Sequence, residues 1–124
     1  MNKLAHFDIH ATNTEELKEF YGKVFDWNFS SYPDADEFFQ VRAPDGAVIG
    51  AIAGRKYNPD SKNIYGFECS ITVDDVEATI NAVEQAGGKT LMQKTNIPNV
   101  GCIAKFLDPD GNMFCAIKYD EDVK

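Results

Sequence analysis

His6, Asp8 and His10 fall at alternate positions near the start of the chain, with Phe7 and Ile9 between them. A period of two is that of a half-buried strand, so Leu4–His10 presents a row of imidazole and carboxylate groups on one face and apolar groups on the other. The pattern returns at Phe67–Val73, where Glu68, Ser70 and Thr72 share one face and Cys69, Ile71 and Val73 the other. Gln40 and Arg42, two apart in a further strand-like stretch, join the polar set. Convergent imidazole, carboxylate, amide and hydroxyl groups are what orient a small organic molecule in a pocket, or move protons on it. The plainer alternative is an antiparallel sheet face left open to water.

The elements that must position these groups repeat. Pro44-Asp45-Gly46 and Pro109-Asp110-Gly111 are the same turn phrase, each behind a strand-then-helix pattern, with a glycine free to take positive φ. In the first copy, Thr12 to Glu15 and Asn13 to Glu16 both have capping-box spacing, and Leu17, Phe20, Tyr21 and Val24 follow at helical intervals. This predicts a helix over 13–25 whose apolar stripe packs on Phe7 and Ile9. Strands are expected over 27–29, 37–43 and 47–53. Trp27, Tyr21 and Phe25 read as core, and Tyr32, Phe38 and Phe39 as candidates to line the polar face. In the second copy Asp74 with Glu77 caps a helix carrying Val76, Ile80 and Val83, and Gly87-Gly88 ends it. Strands follow over 89–93, 102–107 and 113–119. The fold class is therefore α+β, two tandem βαβββ modules forming a cup-shaped curved mixed sheet with helices outside. One domain spans 1–124: module one over 1–54, a polar linker over 55–64, module two over 65–119 and a tail over 120–124. Tyr57 and Tyr65 flank the linker, placed to meet a ligand or a second subunit.

Composition narrows the partners. A net charge of −8 and a pI near 4.6 disfavour nucleic acid and anionic membranes, which select clustered Lys and Arg. No apolar run approaches the roughly 18 residues of a membrane helix, and the N-terminus lacks a signal-peptide core, so a cytoplasmic protein is expected. The three cysteines, Cys69, Cys102 and Cys115, have neither disulfide-framework nor zinc-knuckle spacing. At 124 residues the chain buries a core without such staples.

Six phrases, in order, resemble the vicinal oxygen chelate superfamily of glyoxalases, bleomycin-resistance proteins and extradiol dioxygenases. They are His6-Phe7-Asp8-Ile9, Glu19 to Trp27, Val73-Asp74-Asp75-Val76, Ala86-Gly87-Gly88-Lys89, Ile97 to Gly101, and Asp108 to Asn112. The resemblance implies paired βαβββ modules, a cup-shaped site, a homodimer and a divalent metal held by the first and last strand of each module. Carried over by position, the first-strand ligands fall on His6 and on Glu68, where a histidine is usual. Counting four residues past each turn glycine puts the last-strand ligands on Gly50 and Cys115, where Glu or Gln is usual.

Gly50 offers no donor, and a Cys115 thiolate is softer than the ligands such a site normally uses. His6, Glu68 and Cys115 would together make a three-ligand zinc site with one open position. Asp8, about 7 Å along the strand from His6, would assist it, whereas His10 lies too far along. Without metal, His6 and Glu68 would form an acid–base couple, against the plainer reading of a structural hydrogen bond. Cys115 reads more simply as a core-filling thiol than as a nucleophile. The expected function is binding of a small organic molecule by His6, Asp8, Gln40, Arg42, Glu68, Ser70 and Cys115, with the standard metal site degenerate and no cofactor required. The alternative is a glyoxalase-like lyase or isomerase, or a dioxygenase relative, on a non-standard divalent metal site.

Overall fold

The computed structural model describes residues 2–32, 35–57 and 66–121. In chain order the elements are β1 (Leu4–Ala11), α1 (Thr14–Phe25), β2 (Asn28–Tyr32), β3 (Ala35–Arg42), β4 (Val48–Gly54), a 3-10 turn (Arg55–Tyr57), β5 (Phe67–Thr72), α2 (Val76–Gln85), β6 (Lys89–Ile97), β7 (Gly101–Leu107) and β8 (Met113–Tyr119). The class is α+β with mixed sheet. Residues 58–64 of the expected linker, Tyr65 at the start of module two, and 122–124 of the tail lie outside the described residues.

The chain divides into two compact units, His6–Glu68 and Met1–Ala5 with Cys69–Lys124. The division falls inside strands rather than in the linker. Asn2 donates to the Thr72 carbonyl at 2.7 Å and Thr72 donates to the Lys3 carbonyl at 2.9 Å, which ties the first residues to the later unit.

In the His6–Glu68 unit the strand order is β2-β3-β4-β1, with β1 parallel to β4 and the other pairs antiparallel. Ile9, Ala11, Val41 and Ile52 are buried against Phe7, Leu17, Tyr21, Trp27, Phe29 and Ile49. The helix therefore does sit on the Phe7/Ile9 face, but only half of its stripe is used. Leu17 and Tyr21 face the sheet, while Phe20 and Val24 are 55% and 53% exposed. At 100° per residue the four side chains span more of the helix than one flat contact covers. Phe25, expected in the core, is 52% exposed; it ends the helix just before Asp26 turns left-handed at φ 58°. The N-cap is Asn13, whose side chain accepts from the Glu16 amide at 3.0 Å, which selects the second capping register.

The later unit has the strand order β5-β8-β7-β6. Val76, Ile80 and Val83 on α2 pack with Val73, Ala104, Phe106 and Ala116, as their helical spacing predicts. The cap is Asp75 rather than Asp74: Asp75 accepts from the Ala78 amide at 3.0 Å, one residue later, which is the register that buries Val76. Gly87, at φ 98°, and Gly88, whose amide reaches the Val83 carbonyl at 2.9 Å, close the helix end. β6 runs four residues further than expected because Thr95, Asn96 and Ile97 find partners on β7.

The two Pro-Asp-Gly turns superimpose in kind. Gly46 and Gly111 take φ 90° and 89°, and each donates its amide to the carbonyl three residues back. In the second turn Asp108 also accepts from the Asp110 and Asn112 amides and from the Asn112 side chain. These donors, led by the Asn112 amide, hold its carboxyl below the ordinary value of 3.8. A folded-state pKa below the unfolded one gives stability that is present above 3.8 and is lost as pH falls through the folded value. Asp108→Ala is therefore expected to lower the melting temperature at neutral pH, and to lower it less in acid. Equal destabilisation across that range would contradict the assignment.

Candidate functional site

Register sorts the His6–Glu68 unit into two faces. Across β1, β4 and β3, Phe7 pairs with Gly50 and Gly50 with Val41; Ile9 pairs with Ile52 and Ile52 with Phe39. These belong to the helix face, where Lys18 Nζ also sits 4.2 Å over the Phe39 ring. The opposite face carries Asp8, Ala51 and Gln40 in one row and His10, Ala53 and Phe38 in the next. His6 joins them by alternation.

The position count from the turn fails on this face. Gly50 points at the core: a Cβ placed there would meet the Phe7 carbonyl oxygen at 2.4 Å and the Phe7 ring at 2.8 Å. The β4 residue beside Asp8 is Ala51, five residues past Gly46. The irregularity between Val41 and Arg42 in the β3–β4 pairing accompanies the one-residue difference. In the later unit the count holds its face. Cys115 pairs with Ser70 on one side and Lys105 on the other, away from the helix side occupied by Phe114 and Ala116. Ser70 and Cys115 are 4% and 3% exposed, and no described cysteine is in a disulfide.

The polar side chains of the first unit split into an open and a sealed group. His6 Nδ1 lies 3.9 Å from Asp8 Oδ1, and the two side chains retain 28% and 18% exposure. Gln40 donates to the Tyr32 hydroxyl at 3.3 Å, and Arg42 donates to Gln40 Oε1 at 3.1 Å and to the Gly46 carbonyl at 2.9 Å. The Tyr32 and Phe38 rings, 5.1 Å apart, form the aromatic border of this face, whereas Phe39 turns to the helix side. Arg42 thus braces the turn and Gln40 together.

The sealed group is His10 and Glu68. His10 Nε2 is 3.0 Å from Glu68 Oε1, with side-chain exposures of 0% and 1%. The contact is at ion-pair distance without hydrogen-bond alignment, and His10 Nδ1 has no hydrogen-bond partner among the described residues. Alternation places His10 on the polar face, too far along the strand to share a metal shell with His6, and the expected partner of Glu68 is His6. Nothing in residue spacing signals the pairing: it forms because the chain returns at Gly66, whose carbonyl receives the His10 amide at 3.4 Å.

The donor set on β4 falls short of the divalent metal that the resemblance implies, since Ala51 carries only a methyl group and Gly50 none. Among the described residues no group of three or more His, Cys, Asp and Glu side chains is arranged to hold a metal ion. No helix among them is long and apolar enough to cross a membrane.

Comparison with known proteins agrees with this architecture. A Didymella fabae glyoxylase-like domain-containing protein is 30% identical over 118 residues, covering 89% of this chain and 88% of its own. CFP32 of Mycobacterium tuberculosis is 27% identical over 111 residues, covering 84% of this chain; the chain spans only 41% of that relative's length. The crystal structure of BH1468 from Bacillus halodurans matches with a TM-score of 0.71 at 16% identity, over 99% of this chain and 98% of that one, a likeness of fold alone. The profile of the Glyoxalase/Bleomycin resistance protein/Dioxygenase superfamily matches residues 3–116, and the chain belongs to that superfamily.

Proposed function

We propose that this chain binds a small organic molecule on the polar strand face, without the standard metal of its superfamily. The observation that supports this best is the character of that face. His6 and Asp8 stay open to solvent beside Ala51, where a ligating carboxylate would have to project. Ala51 and Ala53 carry only methyl groups on this face, Phe38 and Tyr32 supply an aromatic border, and Gln40, fixed by Arg42 and Tyr32, offers a positioned amide. An apolar wall with a few placed polar groups suits a molecule with an aromatic or alkyl body and a polar edge. Ser70 and Cys115 are the corresponding groups of the later unit. The protein is a homodimer in this reading, and cytoplasmic, in keeping with described cysteines that form no disulfide.

Protein purified without chelators is expected to carry no stoichiometric metal and to keep its melting temperature in EDTA. A small-molecule screen should yield ligands that raise that temperature, by about 2.7 kcal/mol of stabilisation at a hundred times Kd. His6→Ala and Asp8→Ala should abolish the ligand-induced rise while leaving the ligand-free protein folded. Stoichiometric zinc, nickel, manganese or iron that is lost in His6→Ala would overturn the metal-free reading. That result would favour the second one, an enzyme on a non-standard metal site, which the shared face and 3.9 Å approach of His6 and Asp8 support.

A further inference from the structure

We propose that two copies of this chain meet through α1, the helices antiparallel across a two-fold axis centred on Phe20. The proposal rests on the homodimer of the preceding reading and assigns its contact surface. Glu16, Phe20, Lys23 and Val24 fall within one arc of about 100° on the helix, and all four are exposed. Phe20 and Val24 form the ridge of this arc. Tyr21 beneath it joins Phe20, Phe25 and Trp27, with ring centroids at 5.1, 6.2 and 5.3 Å. The half-exposed Phe20, Phe25 and Val24 leave roughly 250–300 Å² of apolar side chain in water, more than scattered surface residues need and enough for the heart of a small interface.

Charge selects a second copy as the occupant. The chain's net charge of −8 disfavours anionic surfaces, yet this arc is self-complementary. Neither Glu16 nor Lys23 has an ion-pair partner among the described residues, whereas neighbouring Lys18 is held by Glu15 at 3.2 Å. An antiparallel pairing centred on Phe20 sets Glu16 of one copy beside Lys23 of the other, twice by symmetry, flanking the stacked Phe20 side chains. A parallel pairing would set Glu16 against Glu16.

Sedimentation velocity of the intact chain between about 1 and 200 µM is the test, since interfaces of this size dissociate in that range. Dimer mass should appear with rising concentration. Phe20→Glu, which sets two carboxylates face to face at the axis, should leave monomer throughout. Glu16→Lys and Lys23→Glu should each weaken the dimer about tenfold or more, and the double exchange Glu16→Lys/Lys23→Glu should restore it. Because these side chains are exposed, unchanged circular dichroism will certify the fold of each variant. A wild-type chain that stays monomeric overturns both the interface and the homodimer. A dimer that survives Phe20→Glu overturns the interface but leaves the homodimer standing. Failure of the double exchange to restore association overturns the antiparallel geometry.

Discussion

Glu68→Ala is expected to destabilise the protein by about 3–5 kcal/mol, and His10→Ala by a similar amount. Each substitution leaves the other group of a pair that is 0% and 1% exposed without its neighbour at 3.0 Å. An imidazole stranded out of water loses solvation that nothing else among the described contacts of its ring nitrogens replaces. The double substitution His10→Leu/Glu68→Met should recover most of the loss, because an apolar pair of similar volume removes the desolvation cost along with the attraction. A thermodynamic cycle by urea unfolding measures the coupling. Single losses below about 1 kcal/mol would show that the pair is solvated or otherwise compensated. The same cycle separates structure from chemistry. If His10 and Glu68 act only as a structural tie, ligand binding should track stability and the folded double variant should bind normally.

Gly50→Ala should be as damaging as many core truncations, although it adds a single methyl group. Its Cβ would lie 2.4 Å from the Phe7 carbonyl oxygen, and that oxygen belongs to a strand paired in register with β4. Backbone cannot move aside as a side-chain end can, so the cost should reach the top of the range typical of overpacking, about 3 kcal/mol or more. Gly46→Ala, with nothing within 4 Å of the added atom, is the contrast: its cost comes from the φ of +90° alone. Chemical denaturation of the two variants decides the matter. A Gly50→Ala protein within about 0.5 kcal/mol of wild type would mean that β1 and β4 are spaced more loosely than described. There is a functional corollary: a carboxylate meant to join His6 and Asp8 must be introduced at Ala51, because Gly50 faces the core.

Much of the fold was legible because its signals are local. The turn phrase required a glycine at positive φ, and both copies have one. The helix over 13–25 and the strand over 113–119 followed from periodicity, and α1 and β8 occupy Thr14–Phe25 and Met113–Tyr119. Errors arose where two local signals competed. Asp74 and Asp75 both resemble caps, and burial of Val76 decided between them. Leu17, Phe20, Tyr21 and Val24 all fit one stripe, and the width of the sheet contact left Phe20 and Val24 outside.

The site was legible in composition but not in partnership. Alternation alone put His6, Asp8 and His10 on one strand face, and Gln40 lies on that same face in the structure. What the chain determined by itself was the repeat and the side of each strand that carries polar groups, because φ preferences and a period of two act over a few residues; the superfamily followed from the resemblance of its six ordered phrases. Three things waited for tertiary structure. Glu68 meets His10, 58 residues away in the chain. Ala51 rather than Gly50 stands beside Asp8, because strand pairing and not residue counting sets register. An aromatic ridge of α1 is left in water, because a helix packs only the arc that its sheet can cover. Each depends on how separate segments pair and pack, and hydrophobic burial, being non-directional, does not encode that choice in any short stretch of sequence.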